Sequence, residues 1–77
     1  MLAMIQVKKG TIIHTPLVKA VVTRIMVEIK PDDLPPVTHI KLRVFESEDP
    51  EMPPAATVNL TAVGLAARFE RADWKIG

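Results

Sequence analysis

Arg24-Ile25-Met26-Val27-Glu28-Ile29-Lys30 and Thr38-His39-Ile40-Lys41-Leu42-Arg43-Val44-Phe45-Glu46 are the two stretches that decide the fold. In the first, Ile25, Val27 and Ile29 fall on one face, while Arg24, Glu28 and Lys30 fall on the other with Met26 among them. In the second, Ile40, Leu42 and Val44 point one way and Lys41 and Arg43 the other. A repeat of two is the period of a half-buried strand, because successive side chains leave a pleated backbone on opposite faces. Between the two runs lies Pro31-Asp32-Asp33-Leu34-Pro35-Pro36. Proline has no amide donor for a ladder, so this segment continues neither strand. The pattern predicts an antiparallel hairpin with a long loop, its core face formed by Ile25, Val27, Ile29, Ile40, Leu42 and Val44.

Working outward, Leu2 to Val7 and Thr11 to Thr15 flank Lys8-Lys9-Gly10, which reads as a three-residue hairpin turn closed by glycine. Pro16 then interrupts the chain. Leu17, Val18, Val21, Val22 and Ile25 would line one face of a helix. The same residues are rich in β-branched valine and run directly into the first strand, which favours a strand containing a bulge. In the C-terminal third, Val58, Leu60 and Ala62 alternate with Thr57, Asn59 and Thr61 as in a strand. Beyond Ala62, alternation through Val63, Leu65, Ala67 and Phe69 favours a further hairpin. Helix propensity over the same alanine-rich residues gives a terminal helix instead, at a cost of about 1 kcal/mol for Gly64. The expected fold is all-β: a single small domain, residues 1–77, forming an antiparallel β-sandwich or partly open barrel built from hairpins. The alternative is α+β, with a helix at 17–26, at 61–72, or at both.

Composition narrows the function. The chain has 77 residues, 48% of them hydrophobic, with no cysteine, no tyrosine, one serine and two histidines. A domain of this length buries only roughly 60% of its unfolded surface. A single core of this size rarely supplies more than about 3–5 kcal/mol, which small proteins often supplement with disulfides, a structural metal or a partner. Without cysteine the first route and thiolate zinc sites are closed. Docking to a partner or to copies of itself is therefore the expected supplement. The lack of cysteine fits a reducing compartment. No secretory signal is visible, and no apolar run reaches the ~18–20 residues of a membrane span. The expected location is the cytoplasm, or a particle into which the protein assembles, with no membrane partner.

Catalysis is hard to build from this inventory. Ser47 sits among Glu46, Glu48 and Asp49, and His39 lies at the far end of the same strand, about 25 Å away if that strand is extended. Ser47 reads as a turn residue. Asp32-Asp33 and Glu48-Asp49-Pro50-Glu51 lack the spaced ligands and internal glycine of a calcium loop and read as solvated turns. His14 and His39 have no evident third metal ligand, and Gly10, Gly64 and Gly77 are isolated, so no phosphate loop is present. No catalytic residue, cofactor or metal site is expected.

Charge is segregated. Residues 1–30 carry Lys8, Lys9, Lys19, Arg24 and Lys30 against Glu28, a balance of +4. Residues 31–54 carry Asp32, Asp33, Glu46, Glu48, Asp49 and Glu51 against Lys41 and Arg43, a balance of −4. The acids sit in two loops, and placed at one end of the sheet they would form an acidic pole able to orient contacts between copies. The expected role is a non-catalytic interaction or assembly protein, working through sheet edges, loops and the C-terminal tail. Its interface would draw on the terminal apolar residues Met1, Leu2, Met4, Trp74 and Ile76. The alternative is a nucleic-acid-binding β domain whose basic sheet face uses Lys8, Lys9, Arg24, Lys30, Lys41 and Arg43. Against it stands the shortage of aromatic stacking groups, since by alternation only Phe45 lies on the outward face of its strand.

Overall fold

In the computed structural model, which describes residues 7–77, the two alternating runs pair as an antiparallel hairpin from Arg24↔Lys41 to Glu28↔Val37. The elements in chain order are β1 (Ile12–His14), β2 (Val18–Glu28), β3 (Val37–Ser47), β4 (Thr57–Thr61), α1 (Ala62–Arg71) and β5 (Lys75–Ile76). They form one open antiparallel sheet in the order β4-β3-β2-β1-β5, with α1 packed on one face. The sheet-dominated, antiparallel architecture follows the alternation. The second layer that a sandwich would build from strands is supplied by the single helix. Of the expected strand from Leu2 to Val7, residues 2–6 lie outside the described residues and Val7 is in no strand, but its turn is present. The Thr11 amide donates to the Lys8 carbonyl at 3.0 Å, and Gly10 adopts φ 94°, a conformation that glycine takes without steric cost.

The segment 17–25, expected as a bulged strand with a helix as the alternative, is strand from Val18 onward in β2, and two bulges explain the helix-like spacing. The register runs Val22↔Leu42 and then Arg24↔Lys41, leaving Thr23 as an extra residue whose hydroxyl donates to the Lys41 carbonyl at 3.3 Å. One inserted residue switches the inward set from even to odd positions. Val18, Ala20 and Val22 therefore share a face with Ile25 and Val27, a spacing that mimics a helical stripe. A second irregularity between Lys19 and Ala20 leaves Phe45 unmatched on β3.

Residues 62–71 form a helix where alternation favours a strand. Thr61, still extended at φ −83° and ψ 160°, accepts a hydrogen bond from the Gly64 amide at 3.0 Å and caps the first turn. A Cβ on Gly64 would stand 3.2 Å from that same hydroxyl, so the glycine makes room for the cap. Leu65 at i and Phe69 at i+4 turn towards the sheet, Leu65 becoming fully buried. Arg68 and Arg71 in the last turn complement the helix dipole. The Ala72 amide closes on the Arg68 carbonyl at 2.9 Å, and Asp73 leaves the helix at φ 57°.

The core comprises Ile13, Val18, Ala20, Val22, Ile40, Leu42, Val44 and Leu65. Of the six residues expected to form it, Ile40, Leu42 and Val44 are buried. Ile25 (38% exposed), Val27 (54%) and Ile29 (79%) are not. Ile25 and Val27 do lie on the inward face, directly opposite Ile40 and Thr38, but α1 does not extend over them. β4 accompanies the β2–β3 hairpin as far as Met26↔His39, beyond which Val27, Glu28 and their partners Thr38 and Val37 continue as a two-stranded ribbon, and Ile29 lies past the end of β2.

Both loops of β3 are closed by tight turns with left-handed residues. At the ribbon tip, Asp32 (φ 57°) and Asp33 (φ 60°) occupy the two central positions between Pro31 and Leu34, whose amide meets the Pro31 carbonyl at 3.3 Å. Two positive φ angles define a type I′ turn, and aspartate tolerates them better than most residues. Between β3 and β4, Pro53-Pro54-Ala55-Ala56 closes through an Ala56 amide to Pro53 carbonyl bond of 3.0 Å, with Ala55 at φ 76°. Proline second and a positive φ third are the marks of a type II turn, whose third place favours glycine. Replacing Ala55 with glycine removes the left-handed penalty on its Cβ, partly offset by the flexibility gained in the unfolded chain. Ala55→Gly is expected to raise stability by about 0.5–1 kcal/mol, read as a rise of roughly 2–8 °C in the thermal midpoint. A lowered midpoint would show that this turn is not strained at Ala55.

Candidate functional site

The face of the sheet opposite α1 carries the charged positions. Across the strands the register places Arg24 directly opposite Lys41, Arg43 opposite Val21, and Thr57, Asn59 and Thr61 of β4 opposite Arg43, Lys41 and His39. Arg24, Lys41 and Arg43 thus cluster on one exposed patch, with no carboxylate within 4 Å of any of them among the described residues. Like charges directly opposite on a sheet repel, so Arg24 and Lys41 sit together at an energetic cost.

The other basic residues go elsewhere. Lys30 donates to Glu28 Oε2 at 3.1 Å and is neutralised locally. Lys8 and Lys9 are exposed on the turn that precedes β1. Lys19, on the same outer face, pairs with Glu46 at 3.3 Å. The expected basic surface is therefore reduced to three of its six residues. Beside Arg43 lies a shallow open depression of about 600 Å³ lined by Ile12, Val21, Phe45, Pro54 and Ala55. Phe45 stands 48% exposed there. The outward alternation of β3 foretells Phe45; Ile12 and Val21 join it only through the β1–β2 register, Ile12↔Val21.

The terminal apolar residues divide as well. Met1, Leu2 and Met4 lie outside the described residues. Trp74 is half-buried against the core, with the Arg68 guanidinium 5.5 Å from its ring centroid, a cation–π contact worth about 0.5–1 kcal/mol. Ile76 is exposed in β5 at the sheet edge, opposite Ile13. On the helix side, Trp74, Leu17, Met52 and Asp49 help line a cavity of about 260 Å³. That lies below the roughly 300–1,000 Å³ of small-molecule sites.

The acidic loops occupy opposite ends of β3, since one precedes it and the other follows it, so no common acidic pole forms. Ser47 is engaged in its own turn, its hydroxyl bonding both the amide (3.0 Å) and the carbonyl (3.1 Å) of Asp49. No group of three or more His, Asp or Glu side chains stands together among the described residues. Among the described residues no helix is long and apolar enough to cross a membrane.

On the ribbon, Glu28 is shared by His39 Nε2 at 2.9 Å and Lys30 Nζ at 3.1 Å. The hydrogen bond from His39, followed by the bond and charge of Lys30, holds the Glu28 carboxyl below the ordinary carboxylate range. A carboxyl depressed on folding stabilises the native state above its unfolded value, and that contribution is lost as pH falls through the depressed midpoint. His39→Ala is expected to move the Glu28 midpoint upward, followed by side-chain carboxyl NMR across the acid range. An unmoved midpoint would leave Lys30 as the sole cause.

Comparison with protein-family models, with curated proteins and with solved structures finds no match to this chain.

Proposed function

We propose that this chain is a non-catalytic interaction or assembly protein that binds a protein partner or copies of itself. The observation that supports this reading is the loop end of the β2–β3 hairpin. It exposes Ile25, Met26, Val27, Ile29 and Leu34 within a short stretch. Soluble chains rarely leave apolar residues so concentrated unless something covers them. Ile76 in the edge strand β5 adds an apolar group at the far side of the sheet. Chemistry has little to work with, since His14 and His39 stand on different strands and Ser47 is committed to its turn.

The test is molar mass by light scattering on a sizing column, comparing the parent chain with Val27→Lys/Ile29→Lys. Both positions are more than half exposed, so the fold is expected to persist with stability changed by less than about 1 kcal/mol. A defined oligomer that falls to a monomer in the variant supports the ribbon as the interaction element. A parent monomer indistinguishable from the variant counts against self-association.

A second reading, nucleic-acid binding, is favoured by one observation: Arg24, Lys41 and Arg43 share a patch that adjoins the exposed ring of Phe45. Cations track phosphates and an aromatic face stacks bases. Three phosphate contacts predict a slope of roughly −2 for log affinity against log salt with a single-stranded oligonucleotide. Anisotropy titrations at low salt that detect no binding, or binding that survives Lys41→Glu/Arg43→Glu, would remove this reading.

A further inference from the structure

The outer edge of β2 is the longest unpaired strand edge among the described residues. On that side, β1 pairs only with Lys19 to Val21, and the turn before it adds bonds to Val22: the Gly10 amide to the Val22 carbonyl (2.8 Å) and the Val22 amide to the Thr11 carbonyl (2.9 Å). From Thr23 onward the only strand paired with β2 among the described residues is β3. The chain stays free of proline until Pro31. The open window is therefore bounded by Val22 at one end and Lys30 at the other, and its midpoint is Met26.

The sequence of this window is antisymmetric in charge. Arg24 and Glu28 stand two residues either side of Met26, and Ile25 and Val27 one residue either side. The geometry points to a two-fold homodimer in which β2 pairs antiparallel with β2 of a second copy, with Met26 on the axis, resting on the interaction role proposed above. In that register each Arg24 faces the other copy's Glu28, twice over. Ile25 meets the other copy's Val27 on the inward face, and the two Met26 side chains meet on the outward face. A C2 interface requires a patch complementary to itself, and this edge meets that requirement. Thr23 to Ile29, seven residues, would give a seam of about 23 Å, and two five-stranded sheets would become one.

Neighbouring registers are poorer. Sliding the pairing to centre on Arg24 or on Glu28 sets like charges against each other. Sliding by a single step so that Arg24 faces the other copy's Lys30 does the same. The Met26 register also relieves an existing cost. Arg24 lies opposite Lys41 within its own chain and has no carboxylate within 4 Å among the described residues. The second copy would bring one.

The native chain contains no cysteine, so a single introduced thiol reports cleanly. Facing residues of an antiparallel pair lie about 4.5–5.5 Å apart at Cα, within the span of a disulfide. Met26→Cys is expected to form a covalent dimer under mild oxidation at micromolar concentration. Leu34→Cys, more exposed but at the ribbon tip and off the axis, is expected to remain largely unlinked. In parallel, Arg24→Glu and Glu28→Arg are each expected to weaken dimerisation at least tenfold, roughly the effect of turning two exposed ion pairs into repulsions. The double exchange Arg24→Glu/Glu28→Arg is expected to restore it, with circular dichroism checking the fold throughout. Bridging at position 26 with reciprocal rescue supports the seam. A dimer that neither bridges there nor recovers in the double variant overturns the seam but leaves ribbon-mediated interaction standing. A monomer at all concentrations up to about millimolar overturns the seam and self-association together, and the ribbon would then serve a different protein.

Discussion

A mismatch of lengths governs this structure. β2 and β3 each run for 11 residues, about 36 Å of extended chain, whereas the 10 residues of α1 span only about 15 Å. One short helix cannot cover a sheet built on strands more than twice as long. The covered half becomes the core around Leu42, Val44 and Leu65, and the remainder becomes the ribbon with its apolar residues in contact with solvent. The 43 Å longest dimension against a 20 Å shortest one is the same mismatch expressed as shape. Every candidate surface follows from it. Among the described residues, the outer face is left open because α1 covers only the other side, and the β2 edge because the three-residue β1 is shorter still.

The Thr23 bulge makes the long ladder workable. Without an inserted residue, the inward face beyond Val22 would present Arg24, Met26 and Glu28, and the outward face would present Ile25 and Val27. With it, the apolar residues stay on the core side along the whole strand while Arg24 and Glu28 go to solvent. The bulge thereby places Arg24 opposite Lys41 and Glu28 near His39, the two electrostatic features of the ribbon. A local backbone irregularity thus decides both which residues pack and which charges meet.

The sequence makes some of this legible and hides the rest for identifiable reasons. Alternation in 24–30 and 38–46 gives the hairpin and the face each residue occupies. It says nothing about whether that face is covered, so Ile25 and Val27 read like Ile40 and Leu42 although their fates differ. The spacing of Val18, Val22 and Ile25 looks helical because a bulge in a strand and a turn of helix shift apolar positions alike. Residues 62–71 carry both periods, and the decision falls to the Thr61 cap and the contact of Leu65 with the sheet. Of the candidate site, the outward direction of Arg24, Lys41, Arg43 and Phe45 can be read directly. Their assembly into one patch depends on register, which two bulges alter and which no single strand encodes.

The edges of the sheet are treated unequally, and the contrast bears on what the ribbon is for. β4 is five residues long, carries Thr57, Asn59 and Thr61 outward, and passes at once into a helix. β5 is two residues. Shortness and polar side chains are ordinary means of keeping an edge from pairing with other chains. The β2 edge has neither protection: its six residues from Thr23 to Glu28 are half apolar, and its charges are of opposite sign, arranged about a centre. Charges of one sign would repel every copy in every register. Charges of opposite sign placed symmetrically pair in the register centred on Met26, repel in those centred on Arg24, Val27 or Glu28, and find no partner in the one centred on Ile25. An edge guarded only against indiscriminate pairing would need no such symmetry, and selection among registers is what a defined partner strand requires.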